Sequence, residues 1–334
     1  MQKRDEEPIA LAFSDLEIAN YNSYSQGDSR LKRCLSVLAI LSDKSVGLGK
    51  VPVLFCGDLF DNPKVMDNYV LACTLETLQT YYKQRNIRLI GIAGNHDQSQ
   101  KNTSDNPSPN WLRSLYISGY IDYIGDSSTL LVNPRVKVYG IDYMTEGEGF
   151  KSKLIRNYKD AKLSKYPTIL MIHTDLPGAL DPSGREVKEW TNSLPQKWQK
   201  YFGAFTWVLS GHIHKPMQVW DNTYMLGAPL HKRTSDEGCE MGYWEIYVNQ
   251  KPKFKSLNLP KFITLAHGKT PPDNFNYYLT PEENKPESGD TKEDVRFSTS
   301  LSKVKLAKRY LKAKGIKSAG KKRTLIKILN ETEK

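Results

Sequence analysis

Five short apolar runs, each broken off by a cluster of polar residues, constrain this chain more than any other feature. The runs are IALAF (9–13), VPVLFC (51–56), IRLIGIA (87–93), TILMIH (168–173) and FTWVLS (205–210). At their ends stand SDLE (14–17), GDLFDN (57–62), GNHDQ (94–98), IHTD (172–175) and GHIHKP (211–216). Continuous apolar runs of roughly four to eight residues read as strands buried on both faces. Between them, LKRCLSVLAILSDK (31–44) and VMDNYVLACTLETLQTYYKQ (65–84) carry apolar residues at helical spacing. Strands alternating with helices predict a layered α/β fold, and such folds place their sites at the carboxyl ends of strands, where these polar clusters lie. Near the end of this region MGYWEIYVNQKPKFKSLNLPKFITL (241–265) reads as a hairpin-rich β segment.

Together the clusters collect Asp15, Glu17, Asp58, Asn95, His96, His173, His212 and His214, which include four of the six histidines in the chain. One histidine at a strand end is an ordinary structural residue, and Gly-Asp is a common turn. Five such clusters in series, each behind an apolar run, are not explained by turns. Carboxylates, imidazoles and one carboxamide suit two divalent cations such as Mn, Fe or Zn better than a closed structural zinc, which typically takes cysteine. The four cysteines (Cys34, Cys56, Cys73, Cys239) have no CxxC spacing, so they read as reduced, mostly buried thiols.

The order D-x-[H/E], GDLFD, GNHD, H, GHIHKP resembles the calcineurin-like metallophosphoesterases, and within them the nuclease branch formed by the SbcD/Mre-type subunits of DNA double-strand-break repair complexes. The resemblance covers roughly residues 9 to 265 and continues into YMLGAPLHKRTSDEGCEMGYWEIYV (224–248). It implies a four-layer α-β-β-α sandwich with a small β capping region and a C-terminal helical module. The corresponding division is 1–235 for the phosphoesterase domain, 236–267 for the cap, 268–295 for a linker and 296–334 for the module. By this resemblance Asp15, Asp58 and His214 hold one metal ion, with Glu17 where the family has histidine. Asn95, His173 and His212 hold the second ion, and Asp58 bridges the two. His96 is then the acid at the leaving 3′ oxygen, oriented by Asp97, while Asp61 is either a supporting partner or a helix N-cap. Two ions about 3.5–4 Å apart acidify a bridging water and neutralise phosphate charge, which is chemistry for a phosphodiester. Manganese is the expected metal because it accepts carboxylate and imidazole alike.

Glu17 is the departure from the pattern. A carboxylate in place of a neutral imidazole keeps a ligand atom but adds a negative charge. That charge is expected to lower the Lewis acidity of the first ion and favour harder cations. Three readings follow: a retuned, active nuclease; a catalytically weak subunit that serves DNA or partner binding; and a phosphoesterase for a small substrate.

The formal net charge of +11 is localised. Residues 296–334 hold 13 Lys or Arg against Glu331 and Glu333, and the other 295 residues carry 35 basic and 35 acidic side chains. A polyanion is the expected partner of that tail. Gly268 to Val295, rich in Pro, Asp, Glu, Asn and Thr, reads as a linker. YLKAKGIKSAGKKRTLIKIL (310–329) resembles the SAP module, a two-helix DNA-binding unit, in which Lys312, Lys314, Lys317, Lys321, Lys322 and Arg323 would meet phosphates. The other reading of these helices also comes from the family, whose C-terminal helices grip an SMC-like SbcC-type ATPase. The family's frequent homodimers leave self-association open. With 39% hydrophobic and 25% charged residues the composition is that of a soluble globular protein. No apolar run reaches the roughly 18 residues of a membrane helix, and MQKRDEEPIA lacks the apolar centre of a signal peptide. The expectations are therefore cytoplasmic residence, no membrane partner, and a role in DNA repair, recombination or DNA degradation, with a phage-encoded nuclease as one suitable source.

Overall fold

Alternation of side chains along the first three strands already sets the layers. β1 (Ala10–Phe13), β2 (Val53–Cys56) and β3 (Leu89–Ile92) are buried at every position. Leu11, Phe13, Val53, Phe55 and Leu89 pack on one face against helices, while Ala10, Ala12, Leu54, Cys56, Ile90 and Ile92 pack on the other face against a second sheet. A strand with apolar residues at both parities can be satisfied only between two layers.

The computed structural model describes residues 7–20, 30–99, 109–132, 136–145, 147–188, 195–232, 234–265 and 277–281. After β1 come α1 (Arg30–Gly47), β2, α2 (Asn68–Leu78), β3, α3 (Trp111–Ile117), β4 (Asp122–Tyr123), β5 (Asp126–Val132), β6 (Val136–Ile141) and α4 (Gly147–Lys162). The chain continues through β7 (Thr168–His173), α5 (Gln199–Phe202), β8 (Trp207–Gly211), β9 (Met217–Trp220), β10 (Thr223–Met225), β11 (Gly242–Ile246), β12 (Lys253–Ser256), β13 (Lys261–Leu265) and β14 (Tyr277–Pro281). The first sheet has the order β12-β11-β1-β2-β3-β4, and the second has β5-β6-β7-β8-β10-β9. Strands β1 to β4 run parallel, as do β6, β7, β8 and β10. The antiparallel strands β11, β12, β5 and β9 lie at the outer positions.

Three apolar clusters fill the spaces between layers. α1, α2 and α3 cover the outer face of the first sheet, with Leu31, Cys34, Val37, Leu38 and Leu41 of α1 at the i, i+3, i+4 spacing of one helical face. Ile169, Met171, Leu209 and Tyr224 meet the first sheet across the middle. Tyr139, Leu170, Ile172 and Val208 turn outward to Phe150, Leu154 and Phe202 of α4 and α5. This is the four-layer sandwich expected.

Two local expectations are refined. The helical pattern at 65–84 becomes α2, capped by the Asp67 carboxylate accepting from Tyr69 N at 2.8 Å, followed by a π-helical turn at Gln79–Lys83. Within the expected cap at 236–267, β11 pairs with β1 and β12 with β11, so these two strands extend the first sheet instead of standing apart from it. Among the described strands, only β13 and β14 form a separate parallel pair. The SAP-like stretch with Lys312, Lys314, Lys317, Lys321, Lys322 and Arg323, and the linker except for residues 277–281, lie outside the described residues. Among the described residues all four cysteines are free thiols, and no helix is long and apolar enough to cross a membrane.

Asp142, just after β6, ties the two sheets together. Its buried carboxylate accepts from Ala93 N at 2.7 Å and from the Tyr123 hydroxyl. Burial pushes its pKa from the ordinary 3.8 up to about 6, against the pull of those hydrogen bonds. The folded state therefore binds this proton more tightly than the unfolded chain does. The cost of the buried charge, on the order of 1–3 kcal/mol, is fully present above pH 6 and is relieved as pH falls toward 3.8. Asp142→Asn is expected to gain in melting temperature relative to the parent at about pH 8 and to keep only about half of that relative gain at about pH 5, a comparison that thermal melts at the two pH values decide.

Candidate metal centre

The carboxyl ends of β1, β2, β3, β7 and β8 converge because the two sheets are stacked with those strands central. Asp15 and Glu17 follow β1, Asp58 follows β2, Asn95 and His96 follow β3, His173 ends β7, and His212 and His214 follow β8. The loops after β1 and β2 run side by side, with Asp15 N donating to Gly57 O at 3.0 Å and Glu17 N to Asp58 O at 2.8 Å. Among the described residues six that are not glycine have positive φ, and four of them are candidate ligands: Asp15 (52°), Glu17 (46°), Asp58 (55°) and His212 (93°). Backbone of this kind costs about 1–3 kcal/mol per residue and persists where the surroundings over-determine it, typically at functional sites.

Three groups of candidate ligand atoms lie within 4.8 Å of one another: Asp58, His173 and His212; Asp15, Glu17 and His214; and Glu17, Asp58 and His96. In the first group His173 Nε2 lies 3.3 Å from Asp58 Oδ2, and the Asn95 side-chain oxygen is 3.2 Å from His173 Nε2 and 2.9 Å from His212 Nδ1. The other nitrogen of His173 donates to Cys56 O at 2.6 Å, which fixes the ring so that Nε2 faces the carboxylate. Burial opposes charge on His173, yet Asp58, with Asp15 behind it, raises its pKa to about 10. His212 is the opposite case: burial and the neighbouring His173 lower it. A carboxylate, two imidazoles and a carboxamide oxygen, with a proton held between Asp58 and His173, are a donor set that fits a divalent cation.

The second group is closed and already contains cations. Glu17 Oε1 lies 3.4 Å from His214 Nε2 and 3.0 Å from the ammonium of Lys232, whose side chain is fully buried. Arg30 approaches Glu17 Oε2 at 3.4 Å and Asp61 at 3.5 Å. Burial alone would raise the Glu17 carboxyl, but Lys232 and His214 bring it well below the usual carboxylate range. The negative charge of Glu17 is thus paired within the protein. His214 Nδ1 faces Asp236 at 3.2 Å, and the same carboxylate accepts from Lys232 N at 2.8 Å.

His96 is held differently from expectation. Its backbone N–H donates to Asp58 Oδ1 at 2.7 Å, and its Nδ1 lies 2.7 Å from the carbonyl of Asp61. Asp97, expected to orient that ring, instead accepts from Leu59 N, Phe60 N and Gly94 N at 3.3, 3.0 and 2.9 Å, bracing the loops after β2 and β3. Burial and the adjacent Asp58 push Asp97 up to about 7. Asp61 takes part through its carbonyl and its link to Arg30, and the N-cap of α2 is Asp67.

The sequence reading missed Lys232, Asp236, Arg30, Asp175 and Tyr143. Asp175 lies 3.6 Å from His212 Nε2, and the Tyr143 ring stands 5.9 Å from that of His212. Lys232 and Asp236 sit in HKRTSD, where a lysine beside an arginine and an aspartate reads as an ordinary exposed turn. Only burial distinguishes them.

The calcineurin-like phosphoesterase family model matches residues 11–216. The chain belongs to that family. Its members are metal-dependent phosphoester hydrolases that use two divalent ions, and the ligand clusters above occupy the corresponding strand ends. No curated protein matches this chain. Among solved structures, the protein TT1561 of Thermus thermophilus is 13% identical with a TM-score of 0.46, over 75% of this chain and 99% of its own. A dimetal phosphatase from Danio rerio is 11% identical with a TM-score of 0.46 over the same shares. A putative 5′-nucleotidase from Staphylococcus aureus, in complex with alpha-ketoglutarate, is 14% identical with a TM-score of 0.43 over 74% of this chain and 52% of its own.

Gly94 makes the close approach of the loops possible: a Cβ there would lie 2.1 Å from Asp58 Oδ1 and 2.5 Å from Asp58 N. The backbone atom cannot move away cheaply, so Gly94→Ala displaces Asp58 and costs about 1–3 kcal/mol. A lower melting temperature and weaker Mn binding by calorimetric titration are expected together; parental Mn affinity in the variant would contradict this account of the loop.

Proposed function

We propose that this chain is a metal-dependent DNA nuclease, preferring Mn, whose basic C-terminal stretch holds the nucleic acid. The observation that carries the reading is the pairing, on one chain, of a phosphoester-hydrolase centre with a tail of 13 basic and two acidic residues. A small phosphorylated substrate would make little use of such a tail, whereas the polyphosphate backbone of DNA does. The order of the motifs, which resembles the SbcD/Mre-type nucleases through GNHD and GHIHKP, supports the same substrate class.

In this reading Asp58, Asn95, His173 and His212 hold the metal at the substrate's phosphate. A bound divalent ion supplies Lewis acidity to the phosphoryl oxygens and lowers the pKa of attacking water. The chain's own residues do the rest. Asp58 is fixed by the His96 backbone N–H and by His173, so its carboxylate is positioned before substrate arrives. The Asp61 carbonyl takes the Nδ1–H of His96, leaving Nε2 as the nitrogen that can serve the leaving 3′ oxygen. Asp97 keeps the two loops in place, and this makes it a positioning residue.

His96→Ala is expected to lower kcat on DNA by roughly 10²–10⁴-fold with metal content unchanged, whereas Asp58→Ala removes both. Absence of cleavage of single- and double-stranded DNA with Mn, Mg, Zn and Fe, with or without an SMC-like ATPase, would leave the DNA-binding subunit reading instead. Removing residues 296–334 is expected to weaken DNA binding and flatten its salt dependence, measured as the slope of log K against log salt. A deletion that spares the slope but abolishes association with such an ATPase would reassign the tail to a protein partner.

A further inference from the structure

We propose that the Lys232 ammonium takes the place of the first metal ion, so that this centre holds one divalent ion, at Asp58, Asn95, His173 and His212. The argument starts from Lys232 itself. Its side chain has no exposed surface, and its backbone N–H is fixed to Asp236 at 2.8 Å. A buried ammonium must keep charged or polar partners. Those partners are Glu17 Oε1 at 3.0 Å and His214 Nε2 at 3.3 Å, two of the ligand atoms a first metal ion would need beside Asp15 and Asp58.

His214 is engaged at both ring nitrogens: Nδ1 lies 3.2 Å from the Asp236 carboxylate, and Nε2 lies 3.4 Å from Glu17 Oε1 and 3.3 Å from the Lys232 ammonium. A metal ion bound at Nε2 would have to displace that ammonium. Glu17 Oε2 meanwhile faces Arg30 at 3.4 Å, so both of its oxygens already have cationic partners. A divalent ion inserted here would stand beside one fixed ammonium and one guanidinium in a largely buried site. At the other cluster the ligand side chains pair with one another and His212 with Asp175, and His212 is part-exposed, so an ion and a phosphate can reach it. Glutamate at position 17 and lysine at 232 thus form a compensating pair: the carboxylate that replaces the family's histidine neutralises the ammonium that replaces its metal.

The test is metal counting on the full chain without substrate, which keeps it separate from the nuclease reading. Equilibrium dialysis against Mn followed by elemental analysis is expected to give one ion per chain. Electron paramagnetic resonance is expected to give the six-line spectrum of isolated Mn(II). Anomalous diffraction at the Mn edge is expected to place the ion among Asp58, Asn95, His173 and His212, with none between Glu17 and His214. Lys232→Met removes the ammonium from Glu17 and His214 and is expected to raise the count to two, with an exchange-coupled spectrum. Two ions in the parent chain, an ion bound by Glu17 and His214, no ion at millimolar Mn, or a folded Lys232→Met variant that still binds one would each overturn the proposal. If that variant does not fold, the spectrum and anomalous map of the parent chain decide alone. One ion without DNA cleavage upholds this inference and defeats the nuclease reading; two ions with cleavage do the reverse.

Discussion

Face-to-face packing of two mixed sheets, parallel at their centres, is the constraint on which the rest of this protein depends. It requires small or flat apolar side chains between the sheets, supplied by Ala10, Ala12, Cys56, Ile90 and Ile92 from one side and Ile169, Met171 and Leu209 from the other. With the sheets so close, β2 and β7 bring their carboxyl ends within hydrogen-bonding distance, and His173 reaches across to Cys56 O and to Asp58. Burial of apolar surface, at about 25 cal/mol per Å², provides the free energy that holds four strained backbone positions and several buried charges in place. The site is therefore a product of the core and not an addition to it.

Charge inside the centre is distributed in two ways. Around Asp58 the carboxylate is matched by the imidazole of His173, a partner that a divalent cation can replace by displacing its proton. Around Glu17 it is matched by permanent cations on Lys232 and Arg30, which do not leave. The two halves differ in exposure as well, since Glu17 and Lys232 are buried while His212 and His96 open toward solvent. Glu17 and Lys232, far apart in the chain, meet in this half of the centre.

Much of this was legible from the order of residues. Apolar runs ending in polar clusters predicted β1, β2, β3, β7 and β8, and the same clusters supplied the ligand candidates, because strand periodicity and terminal polarity are local properties of sequence. The role expected for Asp97 was not met, since adjacency to His96 in sequence does not decide which way a buried carboxylate turns. Nor was the membership of β11 and β12 in the first sheet evident, because a hairpin pattern fixes the pairing of two strands with each other but not the edge they join. Lys232, Asp236 and Arg30 carry no signal that separates them from surface charges.

The sequence by itself determined the layered α/β class, the strand ends that bear ligands, the family, and the concentration of positive charge in residues 296–334. Tertiary structure alone decided which charges meet. Whether a lysine is a solvated surface group or a buried counter-ion depends on desolvation and on partners distant in the chain, and neither is a property of its neighbours in sequence. For Glu17 that difference turns an apparent surplus of negative charge into one half of an internal ion pair.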